Sequence, residues 1–479
     1  MLHKPIAIGC MLLSSFMTIW SPADPQYSTI PVVSPTDFYH QAWECIGSRF
    51  YDISKTRDWA RYEHCFDSKI KTNQDAVDCL ELAVANLNDP FTRPFNSTES
   101  RQRDREWHHL YKGIGIRMSQ TVPVHIVRTN PGSPADLVGI KAGDTMMAIG
   151  DTDLTNKNYL QVGDLLTQAP SQIDMTLMGA NGIYKVAIKR ETIIWQTVQS
   201  RMLPADIAYL RLESFTDDQT LNLMQKAIAQ VGSARGMIID LRGNGGGQIE
   251  TVVDCLSLVM QQGAVAIDVV RCGKESYDRC YTLLPTKLQE TWVWESDKIA
   301  LKAARERMHT LDFRKRLPSS SYSSKSKSRL PAIFAGKPIV LLVDKGTASA
   351  AEIFAASLQD NKLALLVGER THGKGIFQQS YCFSNGCTVD VTVGRVIRPN
   401  GLWVGDGKAQ DYQSLLQSKA MSREAYAAQG RGITPDIAIA NPVGAEYQAP
   451  EDIQLRTAID LLAGAIWGKG TTVSAALAQ

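Results

Sequence analysis

Ser349 and Lys374 are the residues whose types, neighbours and spacing could do chemistry together in this chain. Ser349 lies in Gly346-Thr347-Ala348-Ser349-Ala350-Ala351-Glu352, and Lys374 in Thr371-His372-Gly373-Lys374-Gly375. A serine hydroxyl becomes a strong nucleophile only when a neighbouring base takes its proton. A lysine amine can be that base if burial keeps it neutral. The pair therefore points to serine attack on a carbonyl with lysine as general base and then general acid. Taken singly, each residue has a plainer reading. A serine at a helix start is usually an N-cap, and a lysine is usually a solvated charge.

The flanking residues say how the pair would be positioned. Pro338-Ile339-Val340-Leu341-Leu342-Val343 reads as a buried parallel strand, and Ala350 to Leu358 as a helix. A serine at that strand-to-helix turn presents its hydroxyl at the carboxyl edge of a sheet, with the positive end of the helix behind it. Leu363-Ala364-Leu365-Leu366-Val367 reads as the next strand and would deliver Lys374 to the same edge. A nucleotide-binding loop is the rival reading of Gly368 to Gly375. It fails because Gly375 stands where Ser or Thr should bind magnesium, and Ile376 to Phe383 reads as a strand rather than a helix.

Upstream, Ile207 to Leu212 and Gly236 to Leu241 read as strands, with Gln219 to Val231 a helix between them. The second strand runs into Arg242-Gly243-Asn244-Gly245-Gly246-Gly247, where glycines would let backbone N–H groups approach a reacting carbonyl. Ala350 and Gly246 are the expected oxyanion donors. Asp240 and Arg242 are expected to form a structural ion pair.

Ser-Ala-x-Glu at 349–352, Gly-Lys-Gly at 373–375 and Gln378 four residues after the lysine resemble the carboxyl-terminal processing (tail-specific) peptidases. Asp240-Leu241-Arg242-x-Asn244-x-Gly246-Gly247, Asp89-Pro90-Phe91-Thr92-Arg93 and Gly432-Ile433-Thr434-Pro435-Asp436 resemble further motifs of that family, in the same order. The resemblance implies a serine endopeptidase with Ser349, Lys374 and Gln378 catalytic, Gln378 holding the lysine, and no metal or cofactor. It implies an α/β (α+β overall) fold: a crotonase/ClpP-like protease core, an inserted PDZ domain and an N-terminal helical segment. His372 departs from the family, which usually has an aromatic or apolar residue there. A catalytically silent PDZ adaptor binding protein C-termini is the alternative function.

Residues 107–192 carry the PDZ resemblance: Lys112-Gly113-Ile114-Gly115-Ile116, Pro131-Gly132-Ser133-Pro134-Ala135 and Gly139 to Asp144. Gly113, Ile114, Gly115 and Ile116 are the expected substrate-binding residues. Their N–H groups would receive a terminal carboxylate, and the isoleucines would line an apolar pocket. Expected partners are proteins with apolar, unstructured C-termini, with an adaptor or activating protein as a further expectation. The expected organisation is 1–23 signal peptide, 24–106 helical region, 107–192 PDZ domain, 193–468 protease core and 469–479 tail. Irregular insertions are expected near 317–329 and 402–431. Asp75 is the expected N-cap of the last N-terminal helix, with Val77, Leu80, Val84 and Leu87 on its buried face.

Composition narrows the class. The 479 residues, 44% hydrophobic and 21% charged, suit a globular protein, and a net charge of +2 gives no reason to expect nucleic acid. A basic start followed by the apolar run Ile6 to Trp20 reads as a signal peptide cleaved after Ala23, implying export to a periplasmic or extracytoplasmic site. Retention as an anchor, or a lipoprotein site at Cys10, are the alternatives. Removal of Cys10 leaves eight cysteines, an even number that favours disulfides. Cys382 and Cys387 bracket an Asn385-Gly386 turn and are the expected pair. Cys272 and Cys280 bracket a second expected hairpin. Zinc is disfavoured by the spacing, and oligomeric state is not legible.

Overall fold

The computed structural model describes residues 29–107, 110–119, 122–216, 219–272, 275–294, 322–328, 332, 334–405, 432–442 and 447–467. The expected signal peptide, most of the 402–431 insertion and the 469–479 tail lie outside them. The chain forms two compact units that each draw on several stretches of sequence. The first comprises 1–104, 262–329 and 372–432, the second 105–261, 330–371 and 433–479.

The first unit is an antiparallel sheet ordered Arg93–Phe95, Thr388–Ile397, Gly263–Cys272, Glu275–Leu284, Lys287–Trp294 and Tyr322–Ser328. Ile376–Cys382 also pairs with Thr388–Ile397. Helices Pro35–Arg49 and Asn73–Val84 share one core with Val389, Val391 and Val393 of that sheet. Val77, Leu80, Val84 and Leu87 are all buried, as their spacing predicts. The N-cap differs from expectation. Thr72 caps the helix and Asp75 is its N3 partner in a reciprocal capping box, because a Thr-x-x-Asp pair satisfies two otherwise orphaned N–H groups.

Two further expectations are corrected here. Tyr322–Ser328, expected as loop, forms an edge strand on Lys287–Trp294. Lys325–Ser328 are exposed, and lysines on an edge discourage pairing with further chains. The Cys382–Cys387 disulfide does not form; both thiols are free. Cys382 is opposite Thr388 in the ladder, and Phe383 N–H donates to the Cys387 carbonyl. That register puts Cys382 and Cys387 on opposite faces of the hairpin, because side chains alternate along a strand. Cys387 is buried beside Phe383 in the core, while Cys382 is half-buried. The second expected hairpin is present, Gly263–Cys272 against Glu275–Leu284; within it Cys272 lies opposite Glu275 and Cys280 opposite Ile267, so the two cysteines are not cross-strand partners.

The second unit holds a sheet ordered Val198–Leu203, Ile207–Leu212, Gly236–Asp240, Ile339–Val343, Ala364–Gly368 and Ile437–Ala438. It is parallel except for the first pair. Its central strands are buried throughout, the pattern of a sheet covered on both faces. Helix Ile453–Trp467 packs in one core with Ile238, Val340 and Leu365, and Phe354 of helix Ala350–Asp360 stacks on Phe215. The same unit contains a smaller four-stranded sheet, Thr152–Asp153, Thr145–Ile149, Gln172–Gly179 and Gly182–Lys189, with its own core around Val124, Met146 and Leu177. Among the described residues no helix is long and apolar enough to cross a membrane.

Candidate active site

In the second unit Ser349 stands between strand Ile339–Val343 and helix Ala350–Asp360, whose side chains are buried from Ala350 to Leu358. It occupies the N-cap position, but its backbone is at φ 55°, ψ −122° rather than in the extended region of an ordinary cap. A non-glycine residue with positive φ stores strain, of a kind that clusters at functional turns. Glu352, fully buried, holds the turn in place. One carboxylate oxygen accepts the Ser349 N–H at 2.8 Å and the other the Thr371 hydroxyl at 2.6 Å. Thr371 in turn accepts the Ile433 N–H, so a carboxylate from the serine helix also fixes the segment that leads towards residue 374.

The glycine-rich loop after strand Gly236–Asp240 is locked onto the serine turn. Asp344 Oδ1 accepts the N–H groups of Gly243 and Gly346, the Thr347 hydroxyl donates to the Leu241 carbonyl, and Ala348 N–H donates to the Asn244 carbonyl. Gly246, at φ 101°, lies so close that a Cβ there would come within 2.8 Å of the Ser349 Cβ and 2.9 Å of the Ala350 nitrogen. The loop therefore meets the serine turn at this glycine. Its N–H is committed elsewhere, however, donating to Asn244 Oδ1 at 2.9 Å. Of the two expected oxyanion donors, Ala350 sits at the first turn of a helix, where N–H groups have no intrahelical acceptor, and Gly246 supplies the clearance.

Beneath this loop Arg242 forms the expected pair with Asp240, and more. Its guanidinium donates to both oxygens of Asp240 and both of Asp452, and to Gln454. Burial would raise the Asp240 pKa, but the Arg242 and Arg211 charges outweigh it and bring it down to about 2. This role is structural.

Lys374 and Gln378 belong to the first unit. Gly373, at φ 88°, and Gly375 give Lys374 its conformation. The Trp403 indole donates to the Gly375 carbonyl at 2.7 Å, and a Cβ on Gly375 would meet Trp403 and Gly405. Lys374 is half-buried, with its Nζ 4.7 Å from the centroid of the Phe91 ring. A ring face attracts an ammonium. Gln378 follows a bulge in strand Ile376–Cys382 and is the cross-strand partner of Thr392, to which its Nε2 donates at 3.1 Å. Asp89 and Phe91, flanking Pro90, thus border the lysine side of the chemistry. From sequence this segment is legible only as a family-like motif, with no role at the site.

In the smaller sheet domain Gly113 ends strand Leu110–Gly113, and Ile116 begins strand Ile116–Met118. Gly115 needs its positive φ, and a Cβ there would strike Ser133. Ile114 departs from expectation. It is 2% exposed and faces the domain's own core rather than a pocket, whereas Ile116 is only partly buried. Tyr111 lies over this turn: its ring would meet a Cβ on Gly113, and its hydroxyl faces the Gly115 N–H. Burial outweighs that contact and pushes the phenol up to about 12.

Residues 206–414 match the profile of peptidase family S41, and residues 104–178 that of the PDZ domain. The chain carries an S41 peptidase segment over residues 206–414. It is 26% identical over 408 residues to the chloroplastic carboxyl-terminal-processing peptidase 1 of Arabidopsis thaliana, covering 80% of this chain and 73% of the relative. To the carboxyl-terminal-processing protease of a Picosynechococcus strain it is 24% identical, covering 96% of this chain and 97% of the relative. A crystal structure of a candidate S41 protease from Bacteroides fragilis shares the fold with a TM-score of 0.52 at 12% identity, over 92% of this chain and 99% of that one. The S41 assignment makes the protein a serine-type peptidase of the carboxyl-terminal processing group, with a PDZ domain on a mixed helix-and-sheet fold.

Proposed function

We propose that this S41 peptidase is exported and cleaves protein substrates selected by their C-terminal tails, with Ser349 as nucleophile, Lys374 as base and Gln378 holding the lysine. The strained Ser349 backbone at the head of a buried helix carries the reading. In the first step Ser349 Oγ bonds to the scissile carbonyl carbon while its proton passes to Lys374 Nζ. The tetrahedral oxyanion is met by the Ala350 N–H, a donor commonly worth about 3 kcal/mol of barrier. Lys374 then protonates the leaving amine, and water attacks the acyl-enzyme by the same route in reverse. The PDZ domain, taken as 107–192, captures the apolar tail through the Gly113–Ile116 turn, with the protease core at 193–468. Export rests on the basic and apolar N-terminal residues 1–23.

Three single variants and one double variant test this on a peptide ending in a free apolar C-terminus. Ser349→Ala and Lys374→Ala should each abolish cleavage, and the double variant should be no worse than either, since the two act as a unit. Lys374→Arg should be equally inactive, because a guanidinium keeps its proton at working pH. Near-normal turnover in any of the three would remove the dyad. Amidating the substrate's C-terminus should slow cleavage, and equal rates for both forms would remove tail recognition while leaving the dyad in place.

A further inference from the structure

Asp89 is 5% exposed and lies in the first unit with Thr392 and Gln378. Its Oδ2 accepts three hydrogen bonds, from the Thr92 N–H at 3.0 Å, the Thr92 hydroxyl at 2.6 Å and the Thr392 hydroxyl at 2.6 Å. The Thr92 hydroxyl oxygen in turn accepts the Thr392 N–H at 3.1 Å. The first two bonds make a turn within residues 89–92 and would end the N-terminal helices unaided. The third reaches a strand 303 residues away and needs another explanation.

A threonine hydroxyl has one hydrogen, and a carboxylate only accepts. The Thr392 hydrogen is therefore spent on Asp89, and towards Gln378 the Thr392 oxygen can only accept. This fixes the Gln378 carboxamide: its NH2 end must face Thr392, as found at 3.1 Å, and its carbonyl end is turned the other way. Without Asp89 the hydroxyl could instead donate to Oε1, and both amide orientations would become available. We propose that Asp89, acting through Thr392, is a positioning residue that keeps Gln378 Oε1 as the acceptor presented to the catalytic lysine. This rests on the roles given to Lys374 and Gln378 above.

The test uses steady-state cleavage by the full-length protein, with thermal unfolding measured alongside. Asp89→Ala removes the shared acceptor and frees the Thr392 hydrogen for Gln378 Oε1. Thr392→Val keeps the shape and removes the hydroxyl. Each should lower kcat about tenfold to a hundredfold with KM little changed, the scale expected when a reacting group is misplaced. Thr392→Ser should recover most of the turnover lost in Thr392→Val. In a Gln378→Ala background Asp89→Ala should cause no further loss of kcat, although any loss of thermal stability persists. A structural role alone would lower activity by the same factor in both backgrounds, and that result, or full activity in Thr392→Val, overturns the relay. Full activity in Gln378→Ala would instead overturn the reading of the site on which the relay rests.

Discussion

The serine and lysine sides of this peptidase are built in different ways. Ser349 is held mainly by backbone. A buried parallel strand, a buried helix and a glycine-rich loop converge on it, and the one side chain that grips its amide, Glu352, lies three residues away. Gln378 stands on an antiparallel sheet and Lys374 just before the strand that carries it, and their described neighbours, Phe91, Thr392 and, through Thr392, Asp89, come from distant stretches of chain. A nucleophile needs a fixed oxygen and nearby N–H donors, which a rigid turn supplies. A lysine base depends on how its surroundings balance charge, and that calls for side chains gathered from elsewhere. The serine side should therefore fail through folding, and the lysine side through turnover.

The largest effect should come from Arg242→Met. It removes the guanidinium from two fully buried carboxylates, Asp240 and Asp452, and should cost about 3–5 kcal/mol in urea unfolding. A loss below about 1 kcal/mol would mean that the serine side does not depend on this cluster. The same carboxylate sets an acid limit. Asp240 is held at about 2 when folded, below the ordinary value near 3.9. A depressed carboxyl contributes stability that is complete above the unfolded value and lost as pH falls towards the folded one. Stability from this group should thus hold to about pH 4 and decline between about 4 and 2. A urea midpoint flat across that window would contradict the assignment.

Intermediate effects separate the sides further. Glu352→Ala leaves a buried Thr371 hydroxyl and the Ser349 N–H without their acceptor, and should cost about 1–3 kcal/mol as well as turnover. Thr392→Val should show the opposite weighting, with turnover falling more than stability. Cys387→Ala should cost about 1–2 kcal/mol, because it empties a buried core position. Added reductant should not change the unfolding temperature through the Cys382–Cys387 pair, and a reductant-dependent loss abolished by Cys387→Ala would restore the disulfide.

This contrast also decided what could be read without a structure. Apolar runs announced the parallel strands, and the serine and lysine motifs are contiguous, so Ser349, Lys374 and Gln378 were visible as types at fixed spacings. The Asp89–Thr392 contact was not, because no local pattern relates residues 303 positions apart. The cysteine pairing failed on parity: a turn brings two strands together, but only the register says which faces meet. Tyr322–Ser328 lacked the apolar alternation of a strand and owes its conformation to the ladder beside it. The Asp75 assignment missed the true cap by three residues, since Thr72 and Asp75 share one reciprocal motif.

The smallest prediction bears most directly on the serine side. If the Ser349 turn is strained because a residue with a Cβ occupies φ 55°, ψ −122°, then glycine should relax it. Relief of such strain is worth about 1–3 kcal/mol, from which the greater freedom of an unfolded glycine subtracts about 0.5–1 kcal/mol. Ser349→Gly should therefore be more stable than wild type by about 1 kcal/mol and inactive. Ser349→Ala, equally inactive, keeps the Cβ and should gain little. The comparison of these two variants by urea unfolding isolates backbone strain from the loss of the hydroxyl, because both lack it. Glycine less stable than alanine would show that the turn is an ordinary helix start, and that the position of Ser349 costs the fold nothing.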